Sequence, residues 1–178
     1  MTTAHLVSTC ARLRQRSDGD VQTAATVASL RALARRIQLL EVEIADHTRA
    51  ITVLVRAWRP ELLARTGVGP IVAASVLCAW SHPGRCRSDA AFAMLGGAAP
   101  IPASSGQTVR VRLNRSGDRQ LNQALHVIVL TRLRYDPATR AYAQRRRAQG
   151  KTNREIKCCL VRYIARQLYR LLEATPAL

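Results

Sequence analysis

The sequence is 178 residues long, enough for one domain or a small domain with an appendage, and its 48% hydrophobic but only 4% aromatic content calls for a core of Ala, Leu, Val and Ile. No apolar run is long enough for a membrane-spanning helix and no signal-type apolar segment opens the chain, so no membrane partner is indicated and the cytoplasm is expected. The formal charge of +17, with 26 Arg among 28 basic residues, points to a polyanionic partner, because Arg grips phosphate bidentately and stacks on bases.

A genome rich in G and C would favour Arg over Lys, but it would not create the sign imbalance. From residue 100 onward, 16 basic residues stand against 4 acidic ones. Ala and Leu lead the helix propensity scale, so a mainly α fold is predicted.

Residues 1–25 read as a short N-terminal segment in which Arg14–Asp20 forms a polar loop between two helical pieces. Asp18 and Asp20 would suit a metal pair, but a polar turn explains them as well. Over residues 26–59 the residues Leu30, Leu33, Ile37, Leu40, Ile44, His47, Ile51, Leu54 and Trp58 follow at alternating spacings of three and four. That is a heptad seam with one polar member, His47. Ile37, Ile44 and Ile51 fall at a, with Leu33, Leu40 and Leu54 at d, a pattern that favours a parallel two-stranded coil. Arg36 at g would meet Glu41 at e of a partner. The alternative is a helix folded back on its own domain; the strict 3.5 period favours a homo-oligomer. Pro60 ends the helix.

Residues 60–178 read as a second, compact helical region. Leu62–Trp80 is predicted as helix, Gly-Val-Gly turn and helix, a helix-hairpin-helix-like element in which Gly67 and Gly69 make the turn and Pro70 opens the second helix. In such an element the amides at the second helix's start face a DNA phosphate, although the same turn also joins purely structural helices. Cys78, His82 and Cys86 are spaced for a metal on one helical face. Pro83-Gly84 breaks that helix, and Cys10, Cys78, Cys86, Cys158 and Cys159 form no CxxC pair, so buried free thiols are expected rather than zinc or disulfides.

Ser88 is predicted to cap a short helix ending at Gly96-Gly97, after which Pro100 and Pro102 keep the chain extended into Ser104-Ser105-Gly106. Residues Thr108–Leu113 alternate, with Arg110 and Arg112 on one side and Val109, Val111 and Leu113 on the other, which predicts one short strand or hairpin arm. Asp118 starts a helix with Leu121, Leu125, Ile128 and Arg132 in one row. Pro137 starts another, ending at Gly150. Thr152 and Glu155 form a capping box for the last, whose Ile156, Leu160, Ile164 and Leu168 face inward. Lys157, Arg162, Arg166 and Arg170 line its other side, so a nucleic-acid groove competes here with a merely solvated face.

The ordered set of Gly-Val-Gly, Ala-Pro, Ser-Ser-Gly, Asn-Arg-x-Gly-Asp-Arg and Asp-Pro-x-Thr-Arg-Ala-Tyr, spread over about residues 60–173, resembles the C-terminal transposase domain of the insertion sequence 110 family (116/110/902 type). The heptad segment is similar to that family's coiled-coil linker. The resemblance implies DNA transposition and recombination by a serine nucleophile that attacks a backbone phosphate, with a guide RNA choosing the target. Matching the family's Ser-Gly step selects Ser105 as the catalytic residue, with Ser104 as the alternative. Arg110, Arg112, Arg115 and Arg119, with Gly67 and Gly69, are the expected DNA-binding positions. The bare residues are compatible with this chemistry: a serine hydroxyl is a weak nucleophile, and nearby arginines would stabilise the charged phosphorus centre. Ser-Ser-Gly is equally an ordinary turn composition.

The sequence departs from the family in lacking the RuvC-like domain with its DEDD carboxylates. Asp18, Asp20, Glu41, Glu43, Asp46, Glu61 and Asp89 are the acids before residue 100, and those on the heptad helix cannot converge. A divalent metal (Mg) is therefore implied for the missing domain, and no cofactor for this chain alone. The expectation is a truncated, non-autonomous transposase part needing a carboxylate domain in cis or in trans. The alternative is a non-enzymatic, dimerising nucleic-acid-binding remnant that regulates intact transposases.

Overall fold

The computed structural model describes residues 2–14, 20–102, 111–113 and 117–174. The chain divides into two compact units, residues 1–50 and 51–178, and its described elements are mainly α-helical.

In the first unit, Thr2 caps α1 (Thr3–Ala11) by accepting from the His5 amide at 3.3 Å. Asp20 accepts from the Thr23 amide at 2.6 Å at the start of α2 (Val21–Trp58), and this bond holds its carboxyl below the ordinary range. Asp20 is therefore a helix cap, while Asp18 lies outside the described residues. The whole heptad seam falls on α2. Ala34 is buried, but Leu30, Leu33, Ile37, Leu40 and Ile44 are 36–63% exposed.

The second unit begins with the last turns of α2, where Val55 is buried and Ile51 packs against the core. Arg59 follows, buried with its guanidinium 5.9 Å from the Trp58 ring centre and 5.2 Å from that of Trp80. The Trp80 indole donates to Glu173 Oε1 at 2.8 Å, which ties the end of α3 (Pro70–Trp80) to the C-terminal end of α7 (Asn153–Ala174). The remaining helices are α4 (Asp89–Leu95), α5 (Arg119–Tyr135) and α6 (Pro137–Ala148). α5 packs on α3, α6 and α7, and α4 packs on α7. The predicted inward rows are buried: Leu121, Leu125 and Ile128 of α5, and Ile156, Leu160, Ile164 and Leu168 of α7.

Two expectations change. The first arm of the hairpin at Leu62 is not an α-helix but a 3₁₀ turn over Pro60–Leu62. It continues in bonds of the same short type, from the Arg65 amide to the Leu62 carbonyl at 3.1 Å and from Val68 to Arg65 at 3.0 Å. Between Pro60 and Gly67 the chain is too short to repay helix nucleation, so it closes tighter turns instead. Second, none of the five thiols is buried: Cys78 and Cys158 are exposed and the other three half-buried. The inner face of α3 is filled by Ala73, Val76, Leu77 and Trp80, which leaves Cys78 on its outer side. The expected strand or hairpin arm is present as half of a hairpin. β2 (Val111–Leu113) pairs antiparallel with β1 (Pro100–Pro102), in the register Pro100 to Leu113, Ile101 to Arg112 and Pro102 to Val111. Proline is tolerated there because a two-stranded ribbon has only edge strands.

Candidate functional site

The serine segment leaves α4 and returns to α5, and both ends are gripped by backbone. Ser88 caps α4 by accepting from the Ala91 amide at 3.2 Å. The helix ends on Gly96 and Gly97, the latter at φ 68°, a left-handed conformation that costs glycine little. The returning chain crosses at Gly117, where an added Cβ would lie 2.6 Å from the Gly97 nitrogen and 2.7 Å from the Leu95 carbonyl oxygen. No side chain fits. The next amide, of Asp118, donates to that same Leu95 oxygen at 2.7 Å, and the Asn122 amide donates to the Gly96 oxygen at 2.7 Å. The Asp118 side chain meanwhile caps α5 by accepting from the Leu121 amide at 2.8 Å.

Above this clamp stands the β1–β2 ribbon, and residues 103–110 connect its strands. Ser104, Ser105 and Arg110 belong to that connection, and with Arg115 they lie outside the described residues. Arg112 stands in β2 opposite Ile101, and Arg119 is the exposed first residue of α5. The clamp thus brings the end of α4 to the start of α5.

Gly67 and Gly69 stand elsewhere. Gly67 adopts φ 86°, and a Cβ there would lie 3.1 Å from the Ile128 carbonyl oxygen, so its smallness lets the turn seat on the middle of α5. Ile128 is about 14 Å along the helix axis from Arg119. Gly67 is therefore first a packing residue. Gly69 has open space at its Cβ position and precedes α3, whose start no side chain caps.

Beside this turn lies a group that the sequence reading had not assigned to the site. Arg65, Arg132 and Arg170, with Gln167, line a cleft of about 420 Å³ between the turn, α5 and α7. Arg132 donates through Nε to the Thr66 carbonyl at 2.9 Å and through Nη1 to Gln167 Oε1 at 3.2 Å. Burial pushes its guanidinium pKa down, and the neighbouring Arg65 charge acts in the same direction against the opposing pull of Asp136. Arg170 is steadied by Asp89, which its Nη2 meets at 2.6 Å. One signal was available in the sequence: Arg132 is the charged member of an otherwise inward apolar row.

The other family-like motif that can be followed is structural. In Asp-Pro-x-Thr, Asp136 caps α6 by accepting from the Thr139 amide at 2.9 Å and from the Thr139 hydroxyl, bonds that hold its carboxyl below the ordinary range. Pro137 occupies the first helical position. Among the described residues no three His, Cys, Asp or Glu side chains cluster closely enough to hold a metal ion. No helix among the described residues is long and apolar enough to cross a membrane.

Residues 60–144 match the model of the transposase IS116/IS110/IS902 family. Two curated relatives align over most of the chain. The 42 kDa protein of insertion element IS900 from Mycobacterium paratuberculosis is 31% identical over 155 residues, covering 85% of this chain and 38% of that protein. The 43.6 kDa protein of insertion element IS110 from Streptomyces coelicolor is 29% identical over 154 residues, covering 86% of this chain and 37% of that protein. The chain thus spans under two-fifths of the length of either relative.

Proposed function

We propose that the chain, whose residues 60–144 match the IS116/IS110/IS902 transposase family, takes part in transposition as the DNA-binding, serine-bearing part of a recombinase. The observation that carries this reading is the closed base of the serine segment. The Gly97–Gly117 contact and the β1–β2 ribbon hold both ends of the connection bearing Ser104 and Ser105. A nucleophile on a loop needs such a frame, because misplacement by about an ångström costs orders of magnitude in rate.

In the proposed step the Ser105 Oγ forms a bond to a backbone phosphorus, with Ser104 as the alternative. The bond from that phosphorus to a sugar oxygen breaks, the serine proton passes to solvent and the departing oxygen takes one up. Attack by a sugar hydroxyl on the phosphoserine reverses the sequence and rejoins a strand. Arg110, Arg112, Arg115 and Arg119 supply positive charge for the nonbridging oxygens. The cleft of Arg65, Arg132 and Arg170 supplies a second phosphate contact. A carboxylate domain acts with this part in cis or in trans, a guide RNA is a further partner, and the exposed seam of α2 pairs two copies.

Denaturing electrophoresis of the chain incubated with labelled element-end DNA, Mg²⁺ and a carboxylate domain tests this. Parent protein is expected to give a covalent protein–DNA adduct that Ser105→Ala abolishes and Ser104→Ala retains. Loss with Ser104→Ala alone would transfer the role. No adduct from the parent, with binding intact, favours the non-enzymatic reading, a dimerising nucleic-acid binder that regulates intact transposases.

A further inference from the structure

A second cleft, of about 560 Å³, opens between α6 and α7 on residues that the serine chemistry does not use. Arg145 and Arg146 come from α6, and Arg162 and Arg166 from α7, one turn apart. Asp89 meets Arg166 Nε at 3.3 Å, whereas Arg145, Arg146 and Arg162 form no ion pair among the described residues. Arg146 donates through Nη1 to Gln149 Oε1 at 2.8 Å, and its Nε is buried without an acceptor among the described residues.

Two tyrosines complete the wall. Tyr142 and Tyr163 meet edge to face with ring centres 6.2 Å apart, and the Arg145 guanidinium lies 5.6 Å from the centre of the Tyr142 ring. Tyr163 is 58% exposed, so most of its ring is open to solvent. Burial, aided by the neighbouring Cys159, raises the pKa of the Tyr142 hydroxyl.

We propose that the α6–α7 cleft binds unpaired nucleotides of a single-stranded nucleic acid, with Tyr163 stacking on a base and Arg146 and Arg162 holding the adjoining phosphates. The volume is that of a small-molecule site rather than of a lone phosphate. A duplex hides its base faces and would use only the arginines. An acidic peptide would likewise leave the open ring without a partner. An unpaired strand uses both, because every base has a π-face and every linkage a charge. The site is independent of the serine reading.

The test is fluorescence anisotropy of the full chain with labelled oligothymidylate, oligouridylate and a duplex of equal length. Tyr163→Ala is expected to weaken both single strands about tenfold and the duplex by less than about twofold, with Tyr163→Phe keeping parent affinity. If only one single strand responds, the site distinguishes the deoxyribose–thymine strand from the ribose–uracil strand. Arg146→Gln with Arg162→Gln should reduce the salt dependence of single-strand binding by about 1.4 in log–log slope. That pair also decides the matter if Tyr163→Ala does not fold. The proposal is overturned if the salt slope stays unchanged, if Tyr163→Ala weakens duplex and single strands alike or neither, or if polyglutamate of equal charge displaces the oligonucleotides as well as they displace each other. The covalent adduct at Ser105 and the anisotropy of Tyr163→Ala are separate readouts, so failure of the covalent chemistry and failure of this cleft are distinguishable.

Discussion

Both α2 and α7 carry an apolar row that recurs with each helical turn. In α7 the residues Ile156, Leu160, Ile164 and Leu168 are at most 7% exposed, whereas Leu30, Leu33, Ile37, Leu40 and Ile44 of α2 remain 36–63% exposed. Stripe width accounts for the difference. α7 adds Val161, Ala165, Tyr169 and Leu172 in a second row, which makes a broad face that α4, α5 and α6 cover. The seam of α2 is an a/d line, the width that suits one facing helix, and at its C-terminal end Ile51 and the flanking Val55 reach the core of the second unit. Hydrophobic periodicity alone announces a helix; its breadth announces what will cover it.

The most severe way to break this contrast is Ile164→Asp. An unpaired carboxylate in the middle of the α7 face should cost at least about 4 kcal/mol and unfold residues 51–178, read by urea denaturation followed by circular dichroism. Asp at both Ile37 and Ile44 should do the opposite. Stability of the compact unit should move by under about 0.5 kcal/mol, while self-association weakens about a hundredfold or more in sedimentation equilibrium. A parent protein that sediments as a monomer at high concentration would remove the pairing role of α2.

Gly117→Ala probes tightness inside the compact unit away from any apolar stripe. The new methyl meets backbone rather than a side chain that can swing away, so about 1–3 kcal/mol of stability should be lost in the same denaturation experiment. The smallest effect is expected at the start of α7. Glu155 accepts from the Thr152 amide and hydroxyl, each at 2.9 Å, and with Lys151 nearby its pKa falls from 4.5 to about 2. A lowered folded-state value means that this stabilisation is complete above about pH 4.5 and fades as pH falls toward 2. Glu155→Gln should therefore be slightly less stable than the parent at neutral pH and equal to it near pH 2, compared by urea midpoint across pH.

Much of the fold was legible because it is local. Ser88, Asp118 and Thr152 cap the helices expected of them, and the inward rows of α5 and α7 are buried. Val111–Leu113 is a strand as its alternation predicts. The failures follow from the same locality. Leu62–Arg65 has apolar, helix-favouring composition, yet Pro60 and Gly67 leave too little chain between them for an α-helix. The expected burial of cysteine assumed that small apolar side chains turn inward, but on α3 and α7 other residues occupy the inward face.

The candidate site divides in the same way. Its motifs, Ser-Ser-Gly between prolines and arginines, could be read directly, and so could the charge excess toward the C-terminus. Gly67 illustrates what could not. The residue type announced a turn, but only the Ile128 backbone beside it explains why no larger residue fits there. The Gly97–Gly117 crossing and the Arg132 bond to Thr66 join positions far apart in the chain, as does the α6–α7 cleft, and no spacing rule reaches across such separations.

The sequence by itself determined the helices, their caps, the heptad line, the basic balance and the family resemblance, because each depends on neighbours within a turn or on an ordered set of motifs. The tertiary structure decided which apolar row found cover within its own chain and which glycine was squeezed against backbone. It also decided which arginines, scattered from Arg65 to Arg170, would share a cleft. Those outcomes depend on the directions in which separate helices pack, and packing is settled only when all of their faces compete for the same core.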